Sequence, residues 1–351
     1  MSSTGEAQQR QDADSPELTG AQAGRSLRNG LISLAILIAL AGGLLLAIPG
    51  LHGVAHALGT MDSGWLAAGV GLEILSCLGY VLAFLQVFER APIRFGARVA
   101  LSELAFGAAV SVGGAGSLAV GIWLLVERGA PAGRVAQRSA VLFLLTTAIN
   151  VLTLVIAGVL AFTGVFTPPK TPLLTILPAA IGAIGFAVVL VLPRYTERLA
   201  RLCAPGRLRT VLTEAAASIN DTKRLLFRPD WRLLGAIGYL WFDIAVLMAC
   251  FAALDASPPL LFVVLAYQIG YVSNFIPIPG NIGVLDASLV GMLVLYGVNA
   301  TSATAATLVY HAIALWIPAV WGTVAFLILQ RTKGQPLKLR EPRSSRSGTS
   351  E

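Results

Sequence analysis

Five ionisable side chains lie within or beside long apolar stretches of this chain: Glu73, Glu103, Asp243, Asp286 and His311. A charge at the centre of a hydrocarbon layer costs about 2.5–3.5 kcal/mol on insertion scales, so each is a functional candidate by default. Each also has a structural reading. Asp286 stands about three positions into a helix that would start after Gly283, where a carboxylate meets the positive end of the helix dipole. Glu73 and Asp243 suit pairing inside a helical bundle as well as contact with a substrate. Glu103 is near Arg98 in sequence, which suits an interfacial ion pair, and His311 suits either a helix–helix hydrogen bond or a head-group contact.

Two glycine-bearing interruptions are the second chemical signal. One is Ser111-Val-Gly113-Gly114-Ala-Gly116; the other is Pro277-Ile-Pro279-Gly280-Asn281-Ile-Gly283. Proline removes a helix donor and glycine favours open backbone, so neither interruption fits the middle of a continuous helix. Half-helices starting after Gly116 and Gly283 would turn unpaired N–H groups toward the membrane interior, an anion site suited to a lipid phosphate. The plainer alternative is a tight turn needed only for packing.

Other chemistry is missing from the sequence. There is no HExxH, CxxC, Walker loop or serine-triad spacing, so no catalytic, metal or cofactor site is expected and the chain does not read as an enzyme. The cysteines Cys77, Cys203 and Cys250 have no ligand spacing and do not form a disulfide framework.

The elements that must hold these residues are membrane helices. Of 351 residues, 56% are hydrophobic and 12% charged, with a mean hydropathy of +0.76. A soluble domain has roughly 25% charged residues. Apolar spans at about 31–49, 64–88, 139–163, 172–192, 233–254 and 304–329 each match the ~30 Å hydrocarbon core as a helix. Gly182 and Gly185 within the fourth read as a close helix contact. The interrupted regions 99–126 and 259–297 are read as two broken or re-entrant hairpins with short arms. The fold class is therefore all-α: a polytopic bundle of about six full spans plus two hairpins. Residues 1–24 and 334–351 are too polar to offset their ordering entropy and read as tails. The membrane domain is 25–333, divided at a basic, partly amphipathic loop over 193–232 that would rest on anionic head groups.

The two interrupted regions look like copies. Gly113 and Gly116 precede Gly280 and Gly283 by 167 residues, and each region continues through an apolar run to a glycine, Gly129 or Gly297. If each hairpin returns to its starting side, every Lys and Arg except Lys170 falls on one face, which the positive-inside bias makes cytoplasmic together with both termini. The halves are then inverted. Net charge +7 follows from the same bias, and no nucleic-acid partner is needed to explain it.

The run Pro277 to Asp286, followed by Gly297-Val298, Ala303 to Ala306, Leu315-Trp-Ile-Pro318 and Gly322, resembles the lysylphosphatidylglycerol synthase transmembrane (flippase-like) family, the membrane half of the multiple peptide resistance factor. The likeness extends through Val112 to Gly116 and Arg128-Gly129. Where that family usually has Gly-Gly this chain has Gly280-Asn281, where it has Glu this chain has Asp286, and its frequent Arg near position 311 is replaced by His311. The resemblance implies a flippase-like membrane domain, without the aminoacyl-transferring domain of the larger relatives. The expected function is transport of a phospholipid or polyprenyl-phosphate-type lipid in the cell membrane, with anionic head groups as partners. Asp286, Glu73 and Asp243 would line or gate the passage. The alternatives are a non-transporting scaffold for a lipid- or glycan-modifying enzyme, and a small-solute transporter; a homo-oligomer is compatible with any of them.

Overall fold

The structure, a computed structural model, describes residues 24–25, 27–29, 31–32, 52–109, 115–164, 172–202, 206–227, 231, 233–271 and 284–332. The expected first span and both tails lie almost wholly outside these residues. So do Gly113, Gly114, Pro277, Pro279, Gly280, Asn281 and Gly283, and the side chain of Asp286.

Among the described residues every regular element is a helix: α1 (His52–Gly59), α2 (Ser63–Val87), α3 (Ile93–Ala109), α4 (Ala115–Val126), α5 (Ala132–Thr163), α6 (Pro172–Leu202), α7 (Arg207–Phe227), α8 (Leu233–Ala252), α9 (Leu260–Tyr271), α10 (Val284–Leu295) and α11 (Ala300–Arg331). The helices α2, α5, α6, α8 and α11 contain spans long and apolar enough to cross a membrane, matching five of the six expected ones. With the family match reported below, they make this an integral membrane protein.

Local chemistry sets the helix ends. Asp62 caps α2, its Oδ1 accepting the Trp65 N–H at 2.9 Å. Asn299 caps α11 by accepting from Thr301 and Ser302 at 2.9 and 3.3 Å. Both caps satisfy N–H groups that have no partner within the helix. The helices α4 and α10 end in the same Schellman turn. Gly129 (φ 87°) donates to the Val126 carbonyl and Ala130 to that of Leu125; Gly297 (φ 92°) donates to Val294 and Val298 to Leu293. Glycine adopts this left-handed conformation without a Cβ penalty.

The repeat spacing seen in the sequence extends to whole helices. Ile93 and Leu260, which begin α3 and α9, are 167 residues apart; Ala132 and Ala300, which begin α5 and α11, are 168 apart. The packing follows the same correspondence: α3 packs on α11 as α5 does on α9, α2 on α5 as α8 on α11, and α3 on α4 as α9 on α10. At the centre α2 packs against α8. Gly69 faces Val246 and Ala249, whereas Gly79 faces Gly235 and Tyr239, so these two helices run antiparallel. A Cβ on Gly79 would lie 2.6 Å from the Tyr239 nitrogen and 2.7 Å from the Gly235 oxygen, so the crossing depends on the absence of a side chain.

The segment 193–232 differs from the expected loop. It is mostly helical: α6 continues to Leu202, and α7 packs on α5 and α6. The reason is an amphipathic pattern that buries Ala216, Ile219 and Thr222 at helical spacing. Gln137 donates to Asp221 at 3.3 Å, and the Lys223 ammonium donates to the Leu190 carbonyl in α6. The helix α6 is peripheral, with Leu173, Ile181, Ile184 and Val188 exposed for lipid contact. Its inner face meets α5, where a Cβ on Gly158 would fall 2.6 Å from that of Ala179. A Cβ on Gly182 would lie 3.3 Å from Leu154 and 3.5 Å from Val151, whereas one on Gly185 would meet nothing within 4 Å, so only one glycine of the expected pair stands at a close approach. Pro178 cannot donate to the Leu174 carbonyl; the Tyr296 hydroxyl does so instead, at 2.6 Å.

Candidate functional site

A cavity of about 480 Å³ lies within the bundle and takes its lining from all eight helices α2–α5 and α8–α11. Four of the five ionisable residues picked from the sequence line it: Glu73 from α2, Glu103 from α3, Asp243 from α8 and His311 from α11. The fifth, Asp286, is the third residue of α10 as expected, with its side chain outside the described residues. Gly116 is the second residue of α4, next to Ser117 and Leu118, which line the cavity.

Apolar helix faces surround the acids, and tyrosines hold them. Asp243 accepts hydrogen bonds on Oδ2 from both Tyr267 and Tyr310, the latter at 3.0 Å. The Tyr267 and Tyr310 rings meet edge to face at 6.2 Å. Glu103 Oε2 accepts the Tyr80 hydroxyl at 2.8 Å, and the Tyr80 ring packs 5.2 Å from that of Tyr239. Glu103 is 1% exposed, and Tyr80, rather than Arg98, is its hydrogen-bond partner. A Cβ on Gly121 of α4 would collide with the Glu103 carboxyl, so this glycine makes room for the acid. Glu73, 4% exposed, accepts the Cys77 thiol on Oε1 at 3.7 Å and lies within electrostatic reach of Asp243. Ser76 ties α2 to α8 by donating to the Tyr239 carbonyl at 2.8 Å.

The balance of charge is one-sided. Three carboxyl side chains and one imidazole line the cavity, and there is no Lys or Arg among its described lining residues. Several polar atoms there are buried without a hydrogen-bond partner: Glu73 Oε2, Glu103 Oε1, Asn150 Oδ1 and Gln268 Nε2. Native interiors rarely leave such atoms unpaired, so they mark positions for water or ligand. Pro318 in α11 adds another acceptor, because it has no N–H for the Ala314 carbonyl, and both residues line the cavity.

The acids stand out in the sequence, whereas the tyrosines that hold them do not. A signal was present: Tyr80, Tyr239, Tyr267 and Tyr310 all lie in apolar helices, where a phenol hydroxyl requires a partner.

The family model described as lysylphosphatidylglycerol synthase TM region matches residues 30–322. The chain is also similar to a UPF0104 membrane protein of Methanothermobacter thermautotrophicus, at 30% identity over 91 residues, a stretch that covers 26% of this chain and 26% of that relative. The family match covers every described residue that lines the cavity, and the chain belongs to the lysylphosphatidylglycerol synthase transmembrane-region family.

Proposed function

We propose that this protein is a lipid flippase that passes a polar head group through the cavity while the acyl chains stay in the surrounding lipid. The observation that carries this reading is a partly acidic chamber, with unpartnered polar atoms, enclosed jointly by two sets of four helices. Polar groups at membrane depth are tolerated where they line a cavity, and they mark substrate pathways there.

The two sets are read as inverted repeats. The common spacing, the shared Schellman turns and the antiparallel α2–α8 crossing support this. Folds that alternate their access are often built this way, with the substrate between the halves. The pairs α3–α4 and α9–α10 are read as re-entrant hairpins. The 12-residue helices α4, α9 and α10 reach only about 18 Å at 1.5 Å per residue, well short of the ~30 Å core. The protein is placed in the cell membrane with both termini cytoplasmic, where α7 and its arginines meet anionic head groups.

The lining refines the substrate chemistry. Carboxyl groups favour a head group that donates hydrogen bonds, through hydroxyl or ammonium groups. A phosphate has a separate place at the start of α4, beside Ser117. The test is reconstitution in vesicles containing phospholipid with a fluorescent head group, followed by bleaching from outside. Wild type should expose inner-leaflet lipid, and Asp243→Asn should slow exposure about ten- to hundredfold, since weakening hydrogen bonds to a charged acceptor costs about 1.5–3 kcal/mol. Bleaching no faster than in protein-free vesicles would defeat the proposal.

A further inference from the structure

Glu73 and Asp243 bring two carboxyl groups together from opposite halves of the bundle, at the α2–α8 crossing. Adjacent carboxylates shielded from bulk water cannot both remain anionic without a cation; no Lys or Arg is among the described lining residues, and the one imidazole, His311, acts on Asp243 and leaves Glu73 without a basic neighbour. The hydrogen bonds divide the roles. Asp243 Oδ2 accepts two phenol hydrogens, as a carboxylate oxygen does. Glu73 lines the cavity, and its Oε2 is buried with no partner at hydrogen-bond distance, its carboxyl interacting with that of Asp243. A proton on Glu73 leaves the pair with a single negative charge.

We propose that the Glu73–Asp243 pair is a proton-binding site that exchanges its proton with the medium through the cavity, and that this proton is the counter-ion for head-group movement. Every neighbouring element contributes to its surroundings. Cys77 lies beside Glu73 on α2, Glu103 with Tyr80 stands toward α3, and Tyr239 shares α8 with Asp243. Tyr267 faces the pair from α9, and Tyr310 and His311 face it from α11, whereas α5 presents Thr146, Thr147 and Asn150, which do not titrate. His311 is the only basic side chain in that set, and it acts on Asp243. The exchange is a simple transfer: the Glu73 O–H bond breaks, the proton goes to cavity water, and an ammonium of the head group takes its place as the cation of the pair. Coupling to lipid movement rests on the transport proposed above; the proton site itself does not.

The experiment therefore has two independent arms, both on the full chain. Infrared difference spectra of the purified protein in lipid nanodiscs, taken across a pH titration, should show a protonated-carboxyl band that is lost in Glu73→Gln. Glu73→Asp should restore the band at a shifted frequency, which separates a lost proton site from a lost fold. A titrating spectrum identical in wild type and Glu73→Gln would overturn the proposal. In the second arm, vesicles carrying fluorescent-head-group phospholipid are given an imposed pH difference. Exchange of one proton per head group should bias the leaflet distribution of the lipid about tenfold per pH unit, and Glu73→Gln should abolish the bias. A wild-type distribution indifferent to the gradient would overturn the coupling. A titrating band with no lipid movement under any gradient would support the proton site and count against the flippase reading alone.

Discussion

The segments α2–α5 and α8–α11 have nearly the same backbone plan and very different chemistry. Their last two helices match in length, 12 and 32 residues in both cases. At the 167-residue spacing, however, Glu103 in α3 corresponds to Gly270 in α9, Glu73 corresponds to Leu240, and Asp243 corresponds to Ser76. A Cβ on Gly270 would lie 3.4 Å from Leu289 of α10, a plain packing contact, whereas Glu103 points its carboxyl at Gly121 of α4. The repeated features are those that set helix ends and crossings, while the residues with chemistry occur once. The two frames match in shape and differ in their polar groups, and the Glu73–Asp243 pair takes one member from each of them.

The sharpest way to break this comparison is at the shared crossing. Gly79→Leu would drive a side chain into the α8 backbone, and it should abolish recovery of folded, monodisperse protein. Gly79→Ala should lower stability by about 1–3 kcal/mol, the usual range for overpacking. Gly185→Ala on the outer helix, where a Cβ meets nothing, should change it by less than about 0.5 kcal/mol. Thermal unfolding in detergent compares the three, and equal effects at positions 79 and 185 would show that the crossing is not as close as described.

Gly121→Ala sharpens the contrast in chemistry. It should displace Glu103 and slow lipid bleaching several-fold, whereas Gly270→Ala at the corresponding position of the other segment should leave transport unchanged and cost about 1 kcal/mol of stability or less. A transport defect of the same size at both positions would mean that the two segments share the chemistry as well as the frame. A separate effect concerns the edge of the bundle. Tyr296→Phe removes the donor that serves the carbonyl freed by Pro178, and it should cost about 1–3 kcal/mol if that carbonyl is left dry, but about 0.5–1 kcal/mol if water replaces the phenol.

Much of the frame was legible in the sequence because the bilayer enforces simple rules. Span length, proline and glycine punctuation and arginine placement located five described helices and the turns at Gly129 and Gly297. The acids were legible for the same reason, since charge in an apolar run stands out. Their partners were not. Whether Tyr310 serves Asp243 or lipid depends on how α11 rotates against α8, and an almost uniformly apolar helix has no stripe to reveal its rotation. The helix α7 was read as a loop because its surplus of charge masked the Ala216, Ile219 and Thr222 face that docks it.

The central claim is that the cavity holding Glu73 and Asp243 opens in turn to each side of the membrane. Thr146 lines that cavity without hydrogen-bonding to any of the acids, so Thr146→Cys can report on access, with Cys203 and Cys250 replaced, Cys77 kept because it donates to Glu73, and the same background carrying Thr146 as the blank. An impermeant thiol reagent applied to sealed vesicles from one side, and in a separate experiment from the other, should label this cysteine in both cases. Labelling from neither side, or from one side only under every lipid and pH condition, would contradict the account and leave the acids lining a closed structural pocket.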